Sequence, residues 1–180
     1  MPGLVEFLHD CGSLVLMEGV ETPDEAALAD AARAFAGAAR ADAGASDAWP
    51  DSWAAQLVAA AHALAAGAEL PLAVSALRED AAVLRCYWLD ADGVQRSDSL
   101  LGAHAGQPRF ALLLDESGAD ASGRGFFRRA LESPHTLQRS RAYLQRGFGM
   151  ACVTLAITAT VGGAPGVLCC DVALSQRPRA

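Results

Sequence analysis

The spacing of apolar side chains changes character near residue 82. Upstream of it, Leu4, Leu8, Cys11 and Val15 recur at three- and four-residue steps, the repeat of one helical face. Thr22-Pro23-Asp24-Glu25 combines a capping hydroxyl, a proline at the first helical position and a glutamate three residues after the cap, which predicts a helix start. The helix it opens runs to about Arg40, with Leu28, Ala32, Phe35 and Ala39 on one stripe, and residues 41–47 form a loop of small side chains. Asp51 or Ser52 caps a further helix bearing Trp53, Leu57, Ala60 and Leu64, closed near Gly67. Pro71 opens a short helix over 72–80.

Downstream the repeat is two, the signature of strands. Residues 83–90 predict a strand with Leu84, Cys86 and Trp88 on one face and Val83, Tyr87 and Leu89 on the other. Asp90-Ala91-Asp92-Gly93 is turn chemistry, with glycine where a positive φ is tolerated, and 94–97 is read as the returning strand. Residues 110–114 are a short apolar run, strand or helix. A helix is expected over 123–132, stopped by Pro134, and a modest strand over 136–143. Alternation is clearest over 152–161, where Val153, Leu155, Ile157, Ala159 and Val161 interleave with Cys152, Thr154, Ala156, Thr158 and Thr160. Gly162-Gly163 makes a tight turn into a last strand over 166–174, with Leu168, Cys170, Val172 and Leu174 opposite Val167, Cys169, Asp171 and Ala173. The expected architecture is a single α+β domain over 1–180, with a helical part (1–82) leading into one antiparallel sheet (83–174).

Composition narrows the function classes. The chain has 180 residues, 52% of them hydrophobic, enough for a sizeable core. Forty are Ala and all 14 basic residues are Arg, a skew that reads as coding bias. A net charge of −7 argues against general nucleic-acid binding. No apolar run approaches the roughly 18–20 residues of a membrane span, and the acidic stretch 1–10 lacks the basic flank of a secretory signal, so a cytoplasmic bacterial protein without membrane contact is expected. The five Cys form no C-x-x-C and are expected as free thiols. Charge is uneven: residues 1–120 carry a net of −13, while 121–150 carry six Arg against Glu132 alone, a net of +5. Such a basic segment suits an anionic ligand or, alternatively, a solvated face.

Three segments together resemble the Cache (PDC) type of PAS-like sensor domain found in bacterial signal-transduction proteins. Cys86-Tyr87-Trp88-Leu89-Asp90-Ala91-Asp92-Gly93-Val94 resembles that family's first hairpin. Arg124-Gly125-Phe126-Phe127-Arg128-Arg129-Ala130-Leu131, followed by Ser133-Pro134, resembles its Arg-x-Trp-Tyr helix, and Val153-Thr154-Leu155-Ala156 with Gly166-Val167-Leu168-Cys169-Cys170-Asp171-Val172 its closing hairpin. The resemblance implies a five- or six-stranded antiparallel sheet, an N-terminal helical segment and a small-molecule pocket on one sheet face. It further implies that Arg124, Phe126 and Phe127 hold the carboxylate side of an amino-acid-like ligand, while Tyr143 and Asp171 hold the amine. Both helix aromatics are Phe here, so an indole N–H and a phenol hydroxyl of the family pattern are missing.

Elementary chemistry agrees with part of this. Arg124 offers a planar fork for a carboxylate, and Asp171 is a lone carboxylate among apolar neighbours that must meet water, a cation or an Arg. The competing reading pairs Arg124 with Asp171, or leaves both in water, and puts the two Phe in the core. Cys169 and Cys170, adjacent on a strand, point to opposite faces and share neither a disulfide nor a metal. No His/Cys/Asp/Glu set has metal-ligand spacing, no cofactor motif is present, and Gly123-Arg124-Gly125 and Gly147-Phe148-Gly149 lack the strand-to-helix setting of a dinucleotide site. The function expected is a non-enzymatic, ligand-binding sensor domain for a small anionic or zwitterionic metabolite (an amino acid, carboxylate or amine). It would work as a homodimer and report to an output domain or partner protein. The alternatives are a protein–protein interaction module with a vestigial pocket and, further off, a small thiol-dependent hydrolase.

Overall fold

A computed structural model describes residue 33 and residues 51–108, 117–145 and 147–174. The helices expected over 4–15 and 22–40 and the apolar run 110–114 lie outside the described residues, Arg33 excepted, which is helical and exposed. Helix α1 (Asp51–Ala65) is followed by two single-turn helices, α2 (Leu70–Ala73) and α3 (Ser75–Arg78). The sheet comprises β1 (Val83–Asp90), β2 (Leu100–Leu101), β3 (Gln138–Arg139), β4 (Tyr143–Gln145), β5 (Met150–Val161) and β6 (Ala164–Ala173), with helix α4 (Gly125–Glu132) between β2 and β3. Strand order is β2-β1-β6-β5-β3, β4 also pairs with β5, and every pairing is antiparallel. The fold found is the expected α+β arrangement with one antiparallel sheet of five or six strands, here six.

The two long central strands are buried on both faces. One face, carrying Cys86, Trp88, Val153, Leu155, Ile157, Leu168, Cys170 and Val172, packs on Trp53, Leu57, Ala60 and Leu64 of α1. Apolar residues at three- and four-residue steps on α1 meet apolar residues at two-residue steps on the sheet, so each period supplies its own half of the core. Trp53 adds direction: its Nε1–H donates to Asp80 Oδ2 at 2.7 Å, and Asp80 Oδ1 accepts from Ala82 N–H at 2.9 Å, tying α1 to the entry of β1.

The opposite face is covered in two patches. Phe126, Phe127 and Ala130 of α4 pack on Tyr87, Leu89, Ala156, Val167 and Cys169. Leu84, Phe148, Cys152 and Ala173 form the second patch, with Tyr143 and Met150 at its margin. Strict alternation placed Leu84 with Cys86 and Trp88, and Val83 with Tyr87; the structure reverses both. The pairing of β1 with β6 shifts register between Val83 and Arg85, and the extra residue turns Leu84 to the other side while Val83 joins the α1 core.

Turn chemistry sets the hairpins. Gly162 and Gly163 sit at φ +57° and +84°, the two left-handed positions that a tight two-residue turn between β5 and β6 requires. After β1, Asp90 Oδ1 accepts from the N–H groups of Asp92 and Val94, and Asp90 Oδ2 binds Arg96 Nε at 2.6 Å. The returning strand expected over 94–97 is reduced to isolated bridges, Leu89 with Gln95 and Val94 with Asp120. Side chains replace part of the ladder there: Ser97 Oγ accepts from Trp88 N–H, and Gln95 Nε2 donates to Ser97 O. The strand expected over 136–143 is split into β3 and β4, because Ser140 Oγ accepts the Thr154 N–H in place of a backbone carbonyl.

Candidate functional site

Between the two patches on the α4 face runs a row of polar side chains. It follows from register: Arg85 on β1 and Thr154 on β5 are both directly opposite Asp171 on β6. Three neighbouring strands therefore present a guanidinium, a carboxylate and a hydroxyl abreast, on the face that Tyr87 and Cys169 share.

The groups are closely matched. Arg85 Nε–H donates to Asp171 Oδ2 at 2.7 Å, with Arg85 3% exposed and Asp171 fully buried. Asp171 Oδ1 accepts from Thr154 Oγ1 at 2.8 Å and from the Tyr87 hydroxyl at 3.4 Å. The Tyr143 hydroxyl extends the row from β4, 2.9 Å from Thr154 Oγ1. At the other end Arg85 Nη1 donates to Ser99 Oγ at 3.0 Å, and the Arg85 guanidinium lies over the Tyr87 ring, 4.4 Å from its centroid.

Burial and charge act together on the titrating groups. Burial pulls the Arg85 pKa down, but the charge and hydrogen bond of Asp171, together with the Tyr87 and Tyr143 side chains, outweigh it and leave the guanidinium firmly charged. Burial, then the Asp171 charge, pushes both the Tyr87 and the Tyr143 hydroxyls well up, so they stay protonated and available as donors. The same two causes hold the Cys152 and Cys169 thiols well above the ordinary range.

The residues singled out from sequence fall in three places. Asp171 and Tyr143 belong to the polar row, joined through Thr154. Phe126 and Phe127 are both buried against Tyr87, Val167 and Cys169, where they roof the adjoining patch. Arg124 stands at the extended N-cap of α4 with its side chain exposed. The counter-charge of Asp171 is therefore Arg85, a partner that the sequence reading did not consider. Its signal was present: one Arg in the apolar strand Val83–Asp90, two residues from Tyr87, and one Asp in the apolar strand Ala164–Ala173. Opposite charges in the interiors of two apolar strands are what a buried pair looks like in sequence. Thr154, Ser99 and Gln95 carried no such signal. The basic segment 121–150 is largely a solvated face: Arg124, Arg128, Arg129 and Arg141 are exposed. Among the described residues no group of His, Cys, Asp or Glu is arranged to hold a metal ion.

No protein-family model and no curated protein matches the chain. Solved structures do. An extracellular ligand binding receptor from Desulfohalobium retbaense is 17% identical over 82% of this chain and 26% of its own, with a TM-score of 0.53. The ligand-binding domain of the Pseudomonas fluorescens chemoreceptor CtaA, in complex with L-valine, is 24% identical over 71% of this chain and 54% of its own, with a TM-score of 0.46. That of the Pseudomonas aeruginosa amino acid chemoreceptor PctB, in complex with L-Arg, is 22% identical over 84% and 58%, with a TM-score of 0.43. The chain thus spans just over half the length of the two chemoreceptor domains. What the receptor from Desulfohalobium retbaense establishes is a shared fold, the PAS-like sheet that the Cache resemblance implies.

Proposed function

We propose that the chain is a non-enzymatic sensor domain of bacterial signal transduction that binds a small anionic or zwitterionic metabolite on the α4 side of the sheet. The observation that carries this reading is the buried row Arg85–Asp171–Thr154–Tyr143 beside the aromatic roof of Phe126 and Phe127. A sheet that needed only a core gains nothing from an ion pair there, since well-packed apolar residues are about as stabilising or more so. Convergent donors and acceptors beside an aromatic wall are what small-molecule sites are made of. The fold shared with a ligand binding receptor supports the same reading.

In this proposal the ligand exchanges with the internal pair. Its carboxylate takes the place of Asp171 on the Arg85 fork, and an ammonium, where present, takes the place of Arg85 on Asp171. Tyr143 fixes the orientation through its hydroxyl, and Arg124 at the N-terminus of α4 draws anions toward the face. Because Arg85 and Asp171 join the two central strands, exchange alters the contact between β1 and β6, whose opposite face packs on α1. Binding can thereby bias the helical side, a homodimer formed through it, and an output domain or partner protein. The described thiols do not favour an enzyme: Cys152, Cys169 and Cys170 are buried with raised pKa values, the reverse of an activated nucleophile, and His62, His104 and His135 are exposed.

A thermal-shift screen over amino acids, carboxylates and amines tests the proposal. A ligand at 100 times its Kd stabilises by about 2.7 kcal/mol, which raises Tm by roughly 5–11 °C for a domain of this size. The rise is expected to shrink in Tyr143→Phe and Arg124→Ala. A panel in which no compound raises Tm in a saturable way overturns the proposal.

A further inference from the structure

Four buried cysteines lie on the two central strands and their neighbour β5, and register distinguishes one pair of them. Cys86 on β1 and Cys170 on β6 are directly opposite partners, and both face the α1 core. Cys152 is opposite Ala173 and Cys169 is opposite Ala156 and Tyr87, so neither has a cysteine across from it.

Hydrogen bonds around β1 define the kind of pair. Leu84 O accepts from Gly102 N–H and Trp88 O accepts from Arg96 N–H, both on the β2 side of the strand. Backbone groups alternate sides along a strand, so Cys86 also directs its N–H and C=O toward β2, while Arg85, Tyr87 and Leu89 bond to β6. Cys86 and Cys170 are therefore a non-hydrogen-bonded pair, in which Cα atoms approach to about 4.5 Å and side chains are closest. That separation lies within the range of about 4.4–6.8 Å that a disulfide bridges. The thiols already interact: Cys86, and then burial, pushes the Cys170 pKa well up.

We propose that Cys86 and Cys170 are a latent cross-strand disulfide, which closes when the chain folds in the presence of a low-molecular-weight disulfide such as oxidised glutathione. One cysteine thiolate attacks the glutathione disulfide and expels one glutathione thiolate; the second attacks the resulting mixed disulfide and expels the other. The protein dithiol gives up two protons and two electrons, and one glutathione disulfide becomes two glutathione thiols. Both cysteines are 1% exposed or less, so exchange in the folded state is slow, and the bond closes while β1 and β6 come together. The link lies on the α1 face of the sheet, opposite the polar row, so this inference stands or falls independently of the ligand-binding proposal.

The test is oxidative refolding of the full chain in mixed oxidised and reduced glutathione, followed by maleimide labelling in denaturant, intact mass and peptide mapping. The chain has five cysteines, so three labels and a Cys86–Cys170 cross-linked peptide are expected, rising to five labels after dithiothreitol. Cys86→Ser and Cys170→Ala are each expected to refold without a link and to take a label at all four remaining thiols. Five labels on the oxidatively refolded native chain, or a link that joins any other two cysteines, overturns the proposal. Peptide mapping of the native chain decides it even if a variant does not fold.

Discussion

Removing the charge of Asp171 while keeping its shape isolates what the buried pair contributes. In Asp171→Asn the side-chain oxygen can still accept from Thr154 and Tyr87, but Arg85, only 3% exposed, loses its counter-charge. Arg cannot escape by releasing its proton, so the variant must bury an unpaired cation or pull β1 open to water. Breaking a buried pair from one side costs about 3–5 kcal/mol. A charge–charge term of about 4 kcal/mol at 4 Å and an effective dielectric of 20 agrees with that range. The Tyr87 ring, 4.4 Å from the guanidinium, still holds the cation, so the lower end applies. Urea unfolding at pH 7 should report a loss of about 3 kcal/mol, and Tm should fall by roughly 6–12 °C. Arg85→Met leaves Asp171 buried without its Arg, an uncompensated charge that should cost a similar amount. The double variant should return to within about 1 kcal/mol of the native chain, because neither charge remains to be compensated. The reasoning is refuted if Asp171→Asn costs less than about 1 kcal/mol and the two changes add to within about 0.5 kcal/mol.

Two further outcomes follow from packing and titration. Gly166 has no room for a methyl group, since a Cβ there would run into the Leu89 carbonyl oxygen and the Trp88 ring; Gly166→Ala should cost about 1–3 kcal/mol in denaturant unfolding, and a neutral change would contradict the packing described. The chain's two tyrosines, Tyr87 and Tyr143, have pKa values raised by folding, so the stability they confer is fully present below the unfolded tyrosine value of about 10 and is lost as pH rises through their folded values. The raised thiols of Cys152, Cys169 and Cys170 begin the same decline from about pH 8.5, so Tm should be flat to about pH 8 and fall above it. Phenolate absorbance should appear together with unfolding; tyrosines that titrate near pH 10 in the folded chain would contradict the burial.

Much of the fold was legible because β5 and β6 keep the two-residue repeat and pair without a register shift, and α1 places Trp53, Leu57, Ala60 and Leu64 on one stripe. Legibility failed where a side chain or an extra residue took over from the backbone ladder. The irregularity between Val83 and Arg85 reverses the faces of Val83 and Leu84, and neither residue type announces a bulge. Ser140 interrupts the third expected strand with a hydroxyl, which apolar periodicity does not register. Asp171 was recognisable as a carboxylate needing a partner. Reading a strand by its apolar faces passes over Arg85, the one cation within β1. Family positions point to Arg124, but cross-strand register determines which cation meets Asp171, and register is a property of the folded sheet.

A crystal structure of the chain with the compound that raises its Tm most bears most directly on the ligand-binding account. Density is predicted on the α4 side of the sheet, beside Phe126, Phe127 and Tyr143, with an anionic group on Arg85 and the distance between Arg85 and Asp171 increased. Density elsewhere on the molecule, with the Arg85–Asp171 pair still closed at 2.7 Å, would contradict it.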